Sequence, residues 1–121
     1  MAEGFARHYG DGVIEPSSAG LFPASIVQPE TFQVMAERGV ILDAGQKPRS
    51  ILLADATNLD ILVNMTGQPV LRLLNGFTGH EIPWEIVDPI GMKIQVYRQV
   101  RDQIEQKVKE MVEQFLTAPP R

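Results

Sequence analysis

The chain has 121 residues, of which 44% are hydrophobic and 21% charged, and its 11 basic and 15 acidic residues give a formal net charge of −4. These values are typical of a globular protein, and we expect residues 1–121 to form a single domain. The negative charge argues against a nucleic-acid or anionic-membrane surface, and no apolar run reaches the ~18 residues of a membrane span. The cysteine count is zero, which excludes disulfides, thiolate metal sites and every cysteine nucleophile.

The opening residues predict a short helix that runs into a strand. Residues 2–9 have a helical pattern with an acidic first turn. Val13 and Ile14 then begin a strand, which Pro16 shortens or confines to a sheet edge. We expect a loop from there to residue 25.

The middle of the chain predicts a second helix and a buried strand. Pro29 suits the first turn of a helix over residues 30–38. Ser50 is placed to cap a short helix that extends through residue 54. The continuous apolar run of residues 59–65 indicates a buried strand.

The last third predicts a strand and a long helix. Residues 70–74 are ambiguous between a strand and a helical turn, and residues 82–87 suggest a short strand. Residues 92–116 form the clearest helix, because apolar side chains recur at the helical period. On the solvent side of this helix we expect the ion pairs Glu105–Lys109 and Arg101–Glu105. Strands alternating with helices predict an α/β fold with a mainly parallel sheet.

Several motifs occur in an order that resembles one family. Each is weak alone, but together they span most of the chain: Met1-Ala2-Glu3-Gly4-Phe5-Ala6-Arg7, Ser18-Ala19-Gly20, Val34-Met35-Ala36-Glu37-Arg38-Gly39-Val40, Asp60-Ile61-Leu62-Val63, Asp88-Pro89, and Tyr97-Arg98-Gln99-Val100-Arg101-Asp102-Gln103-Ile104. This order is similar to that of the low-molecular-weight protein tyrosine phosphatases and the related thioredoxin-coupled arsenate reductases. The resemblance implies a three-layer fold in which helices flank the mainly parallel sheet.

The resemblance also shows what the sequence lacks. In the family, a strand and a phosphate loop of pattern Cys-x5-Arg-Ser precede the first helix, and neither is present here. The resemblance therefore implies a truncated domain without its first, central strand, which would lie between the strand at Val13 and the strand at residues 61–63. The register of a second arsenate-reductase cysteine falls at about Thr66. The neighbourhood of a third is occupied by Leu71, Leu73 and Leu74, so the thiol relay of an arsenate reductase is impossible here.

We therefore expect a phosphatase-like protein that is catalytically inactive as given. Two alternatives stay open. One is an active phosphotyrosine phosphatase, or a relative, whose N-terminus was lost through a wrong start site or a shortened clone. The other is a non-catalytic binding or assembly module on the phosphatase scaffold.

One residue matches a catalytic position of the family. Asp88, followed by Pro89, corresponds to the aspartic acid that protonates the leaving oxygen. The competing interpretation is a helix N-cap, because Asp before a Pro at the first helical position is a common helix start. Without a nucleophile, the cap is the preferred interpretation, and a catalytic role of Asp88 would be vestigial.

Few other residues suggest a site. The N-terminus of the first helix implies weak anion or phosphate binding, while Arg7 reads as a surface residue. His8 and His80 lack partners at metal-ligand spacing, so we expect no metal and no cofactor. The glycosylation sequon Asn64-Met65-Thr66 reads as a chance match.

A missing central strand has a consequence for assembly. Two inner sheet edges would expose unpaired backbone groups, which are costly to bury. We therefore expect a homodimer through an exposed sheet edge, with residues 1–20 displaced or at the interface. We also expect a cytoplasmic protein that binds neither nucleic acid nor membranes.

Overall fold

The computed structural model describes residues 1–21, 27–43, 45, 47–51, 56–74 and 76–117. It contains three α-helices, two β-strands and a 3₁₀ helix: α1 (Ala2–Tyr9), α2 (Pro29–Ala36), β1 (Ile61–Asn64), the 3₁₀ helix Leu71–Leu73, β2 (His80–Pro83) and α3 (Ile94–Thr117). The contacts divide the chain into two compact units. The helical unit comprises Met1–Ser17, Ile26–Lys47 and Val87–Arg121, and the sheet unit comprises Ser18–Ser25 and Pro48–Ile86. A single domain over residues 1–121 stays a prediction.

In the helical unit, α1 and α2 both pack against α3. Phe5 of α1 and Val34 and Met35 of α2 are fully buried, and α3 contributes Val108 at 1% exposure. Burying side chains of this size removes most of their apolar surface from water, which favours the packed state by ~1.5–3 kcal/mol each. The helices predicted over residues 2–9, 30–38 and 92–116 are confirmed.

The end of α2 shows why a helix boundary is hard to read from sequence. The helix was expected to continue to residue 38, but its last regular residue is Ala36. Beyond it the chain tightens, with the amides of Arg38 and Gly39 each bonding to a carbonyl three residues back. Gly39 adopts a φ of 75°, and the amide of Val40 donates to the Met35 carbonyl at 3.0 Å. This Schellman-type ending needs a residue that tolerates the left-handed region, as the glycine does.

A second glycine allows close packing of α1. A Cβ added at Gly4 would lie 2.6 Å from Leu42 Cδ2 and 3.1 Å from Met35 Cε. The backbone of α1 therefore approaches α2 and the segment after it more closely than any other residue type would permit.

The strand predicted at Val13 and Ile14 is wrong. The amides of Val13 and Ile14 both donate to the Gly10 carbonyl, at 2.8 and 2.9 Å, so these residues form a turn after α1. Local hydrogen bonds satisfy the donors that a strand would have offered to a neighbour. In the described part of the sheet unit, an isolated parallel bridge joins Gly20 to Ser50. The helix predicted from Ser50 runs into residues 52–55, which lie outside the described residues.

The sheet unit contains a parallel pair of strands, as predicted. The register runs from Ile61 opposite His80 to Asn64 opposite Pro83. The pair packs over a small apolar core made of Ile51, Ala56, Val70 and Leu74, with Leu21, Leu59, Leu62 and Phe77 around it. The ambiguous stretch near residue 72 is a 3₁₀ turn. The α/β class with a parallel sheet and helices is confirmed.

Candidate functional site

Asp88 lies on an exposed turn ahead of the last helix. Its Oδ1 accepts a hydrogen bond from the backbone amide of Ile90 at 3.1 Å, and the amide of Met92 donates to the Pro89 carbonyl at 2.9 Å. Gly91 has a φ of 80°, which redirects the chain before α3 begins at Ile94. The expectation that Asp88 caps a helix is therefore wrong, because its carboxylate stabilises a separate turn.

Tyr97 of α3 connects this turn to the helical core. Its side chain is 2% exposed. Burial raises the pKa of the Tyr97 hydroxyl, the carboxylates of Glu30 and Asp88 raise it further, and a backbone hydrogen bond at Gly91 opposes them. Among the described residues no lysine or arginine forms an ion pair with Asp88.

The N-terminus of α1 is the place where an anion was expected. Met1 is the N-cap and makes no side-chain cap, and Glu3 occupies the first turn. Glu3 binds the Arg7 guanidinium at 3.1 Å, and Arg7 also donates to the Pro16 carbonyl at 3.1 Å. Arg7 is therefore a surface residue, as predicted, with 65% of its side chain exposed. The Glu3 carboxylate already interacts with the positive end of the helix dipole, which disfavours an added anion.

The positions where the resemblance would place arsenate-reductase cysteines lie in a polar turn and in an apolar one. Asn64 Oδ1 accepts the Thr66 amide at 2.9 Å and the Thr66 hydroxyl at 2.7 Å, while its Nδ2 donates to the Gln68 carbonyl at 2.8 Å. The Asn64 amide group is thus engaged on both sides. Leu71 and Leu73 are partly exposed, and Leu74 is buried in the core. None of these side chains can carry a thiol relay.

A cluster that sequence reasoning missed joins α1, α3 and the turn that follows α2. Glu105 of α3 is only 5% exposed, and it accepts hydrogen bonds from the Tyr9 hydroxyl at 2.6 Å and from Arg38 at 2.7 Å. Burial acts to raise the pKa of Glu105, but the bonds from Tyr9 and Arg38 outweigh it and lower the pKa. The bond to Glu105 in turn raises the pKa of Tyr9. Lys109 Nζ lies 4.9 Å from the centre of the Tyr9 ring.

A second buried charge lies one turn earlier on α3. Arg101 is 7% exposed and donates to the Glu37 carboxylate at 2.6 Å and to the Val34 carbonyl at 3.0 Å. Arg98 also binds Glu37, through both carboxylate oxygens. These bonds lower the pKa of Glu37, with Arg98 the largest cause.

These two clusters correct the expected solvent-side ion pairs. Arg101 and Glu105 point into the helical core and pair with α1 and with the end of α2. The sequence signal that marks them is their position beside the apolar stripe, but their partners on α1 and near the end of α2 lie more than sixty residues away along the chain.

The described residues offer little for a metal. His8 packs edge-on against Tyr9, and His80 begins β2, where its amide donates to the Asp60 carbonyl. Within the described ranges, no group of three or more histidine, aspartate or glutamate side chains is placed to hold a metal ion. No helix there is long and apolar enough to cross a membrane.

Comparison with known proteins places the chain in a family. The sequence profile described as low molecular weight phosphotyrosine protein phosphatase matches residues 1–118. The chain is 33% identical to a glutaredoxin arsenate reductase of Synechocystis sp., over 93% of this chain and 85% of the relative. It is 31% identical to a putative arsenate reductase of Halobacterium salinarum, over 84% of this chain and 70% of the relative.

Solved structures agree with the sequence comparison. An arsenate reductase in the phosphate binding state superposes with a TM-score of 0.79 at 30% identity, covering 93% of this chain and 86% of that one. The arsenate reductase of Archaeoglobus fulgidus gives a TM-score of 0.76 at 26% identity, covering 93% of this chain and 87% of that one. This chain belongs to the low molecular weight phosphotyrosine protein phosphatase family.

Proposed function

We propose that this chain is a phosphatase-family scaffold with no phosphatase or arsenate reductase activity of its own. The observation that carries the proposal is a family match over residues 1–118 of a chain with zero cysteines. By its resemblance to the family, either reaction would begin with a thiolate, and serine or threonine hydroxyls are weak nucleophiles unless an adjacent base activates them. Asp88 retains the position of a general acid, but a general acid does not supply the attacking group.

The test is turnover by the purified 121-residue chain. We expect no hydrolysis of p-nitrophenyl phosphate above a buffer blank, and no arsenate reduction with thioredoxin or glutaredoxin as reductant. The Asp88→Ala variant should give the same blank rate. Turnover by the wild-type chain that Asp88→Ala abolishes would contradict the proposal, because it would require a nucleophile other than a thiolate.

A second candidate is an active phosphatase or arsenate reductase whose nucleophile is encoded upstream of Met1. The state of Asp88 favours it, since this carboxylate is exposed and anchored through one oxygen to a turn held on buried Tyr97. The genomic DNA before the Met1 codon separates the two candidates. An in-frame Cys-x5-Arg-Ser segment supports the second, and an in-frame stop codon supports the first.

For its partners, we propose that the chain forms a homodimer through an exposed sheet edge. The support is that β1 has a single strand neighbour within the described residues, so its other edge has no strand partner there. Such an assembly role is also what the binding-module alternative requires. Light scattering at low micromolar concentration tests it, and a monomer there would contradict it.

We also propose that an oxyanion binds only weakly at the N-terminus of α1. The first-turn amides favour an anion, and a relative of 30% identity is described in a phosphate binding state. The Glu3 carboxylate opposes binding. Titration with inorganic phosphate should therefore show millimolar affinity that tightens in Glu3→Gln, and no change in that variant would argue against this site.

A further inference from the structure

The hydrogen bonds of β1 reveal which of its backbone groups are used. The amides of His80 and Trp84 donate to the carbonyls of Asp60 and Asn64, both at 2.9 Å, and Leu62 lies opposite Glu81 in the parallel register. In an extended strand, successive residues direct their N–H and C=O groups to opposite edges. The backbone N–H and C=O groups of the even-numbered residues of β1, Leu62 and Asn64, therefore point toward β2. Ile61 and Val63 direct their donors and acceptors to the other edge, where the described chain places no further strand.

The two outer edges of this sheet differ in chemistry. On β2, the residues whose backbone groups point away from β1 are Glu81 and Pro83. Proline has no N–H to offer, and an exposed charge discourages a neighbouring strand, so β2 is protected against further pairing. On β1, the residues whose backbone groups point away from β2 are Ile61 and Val63, and neither is a proline or a charged residue. Among the described residues, the edge that can accept a further strand is therefore the outer edge of β1.

We infer that the outer edge of β1 docks against the same edge of a second copy, antiparallel, with a two-fold axis at Leu62. This inference rests on the homodimer proposed above and assigns the strand and register that it uses. A two-fold contact brings the same strand from each copy together in opposite directions. With the axis at Leu62, Ile61 faces Val63 of the second copy, and each outward donor meets an outward acceptor.

The side chains of β1 suit a second copy in this register. Leu62 meets its own counterpart on the face that packs against the apolar core of the sheet unit, so each leucine gains an apolar neighbour. Asp60 falls opposite Asn64 rather than opposite another carboxylate. A register centred on Asp60 would instead oppose two like charges, which is destabilising. The two sheets would join into one sheet with β2 protecting both ends.

A pair of proline substitutions tests the edge. Val63→Pro removes an amide that points away from β2, and Glu81→Pro removes the corresponding outward amide of β2. Neither change deletes a hydrogen bond between β1 and β2, so the two variants are matched for backbone strain. By sedimentation velocity, Val63→Pro should weaken dimerisation at least tenfold, and Glu81→Pro should leave it unchanged. Circular dichroism confirms that both variants fold.

A single cysteine tests the register without depending on proline. In the non-hydrogen-bonded pair at the axis, the Cα atoms lie about 4.5 Å apart, within the range of a disulfide. Because the chain has zero cysteines, Leu62→Cys introduces one reporter. Mild oxidation should join two copies covalently, while Glu81→Cys should stay unlinked.

The outcomes separate this inference from the proposals on which it rests. A dimer that survives Val63→Pro and does not cross-link through Leu62→Cys would overturn the inferred edge and leave the homodimer standing. A wild-type chain that is monomeric at every accessible concentration would overturn both. Neither result bears on turnover, so the proposed lack of catalysis is judged independently.

Discussion

Different interactions stabilise the interior of the helical unit and the interior of the sheet unit. In the helical unit, two nearly buried charged residues of α3 bind groups of α1 and of the turn after α2. Glu105 accepts hydrogen bonds from Tyr9 and Arg38, and Arg101 donates to Glu37. In the sheet unit, a small apolar core supports two short strands, and one strand edge is open within the described residues. The described buried side chains of the helical unit have hydrogen-bond partners, whereas the outer edge of β1 has no strand neighbour among the described residues.

This difference teaches that buried charges specify arrangement more than they add stability. A buried ion pair often contributes little net free energy, because removing both charges from water is costly. Shifting α2 by one turn would separate Arg101 from Glu37 and Glu105 from Arg38, so each nearly buried charge would lose a partner and such a packing is disfavoured. The β1 edge has no such constraint.

The largest effect is expected from breaking the Glu105 cluster. Glu105→Ala removes the acceptor of both Tyr9 and Arg38, and we expect a loss of about 2–3 kcal/mol of unfolding free energy. Glu110→Ala, at an exposed site on the same helix, is the matched control and should change stability by no more than about 0.5 kcal/mol. Urea denaturation measures both. Equal losses would show that the cluster does not hold the helices.

The corresponding change in the sheet unit is Gly79→Ala. A Cβ at Gly79 would overlap the Asp60 carbonyl, which accepts the His80 amide at the start of the pairing. Overpacking of this kind costs about 1–3 kcal/mol. Gly45→Ala, where a Cβ meets only Asp43 Oδ1 at 3.4 Å, is the control. If thermal melts of the two variants coincide, the close approach at Gly79 is not limiting.

Acid should weaken the helical unit through its carboxylates. The pKa values of Glu37 and Glu105 are lowered from an ordinary 4.5, so the unfolded chain binds protons first as the pH falls. Their stabilising contribution is complete above that value and is lost as the pH falls below it. The urea midpoint should therefore fall more steeply between pH 6 and pH 3.5 for the wild type than for Glu105→Gln. Parallel curves would contradict the assignment of these shifts.

The smallest effect is expected at Asp88. Asparagine accepts the Ile90 amide as aspartate does, so Asp88→Asn should leave the melting temperature nearly unchanged. Asp88→Ala removes the acceptor from an exposed turn and should cost at most ~1 kcal/mol. A large loss in the asparagine variant would show that the charge of Asp88 has a partner.

Features set by interactions between residues close in sequence were predictable, and features set by distant partners were not. The helical period over residues 92–116 and the apolar run near residue 62 are local signals, and both elements formed close to the expected positions. The strand expected at Val13 does not form, because the Val13 amide donates to the Gly10 carbonyl in a turn. The apolar character of Val13 does not distinguish this turn from a strand. The inward direction of Arg101 and Glu105 depends on partners near residue 37, which no periodicity in α3 indicates.

The surroundings of the candidate residue Asp88 were predictable only in part. Asp88 was identified through its resemblance to the family, but the resemblance did not reveal the turn that holds it or the buried Tyr97 behind it. A helix cap and an isolated turn begin with the same Asp-Pro pair. The left-handed Gly91, which separates the turn from α3, decides between them.

The central proposal is that this chain keeps the scaffold of its family, with Asp88 at the position of the general acid, and lacks the strand and phosphate loop that carry the nucleophile. Fusing the strand and Cys-x5-Arg-Ser loop of a family member ahead of Met1, and measuring p-nitrophenyl phosphate turnover, tests it most directly. The account predicts no turnover from the chain alone. The fusion should show turnover that disappears when the added cysteine is changed to serine and falls about 100-fold in Asp88→Asn, a typical general-acid effect. A folded fusion without activity, or turnover by the chain alone, would contradict the account.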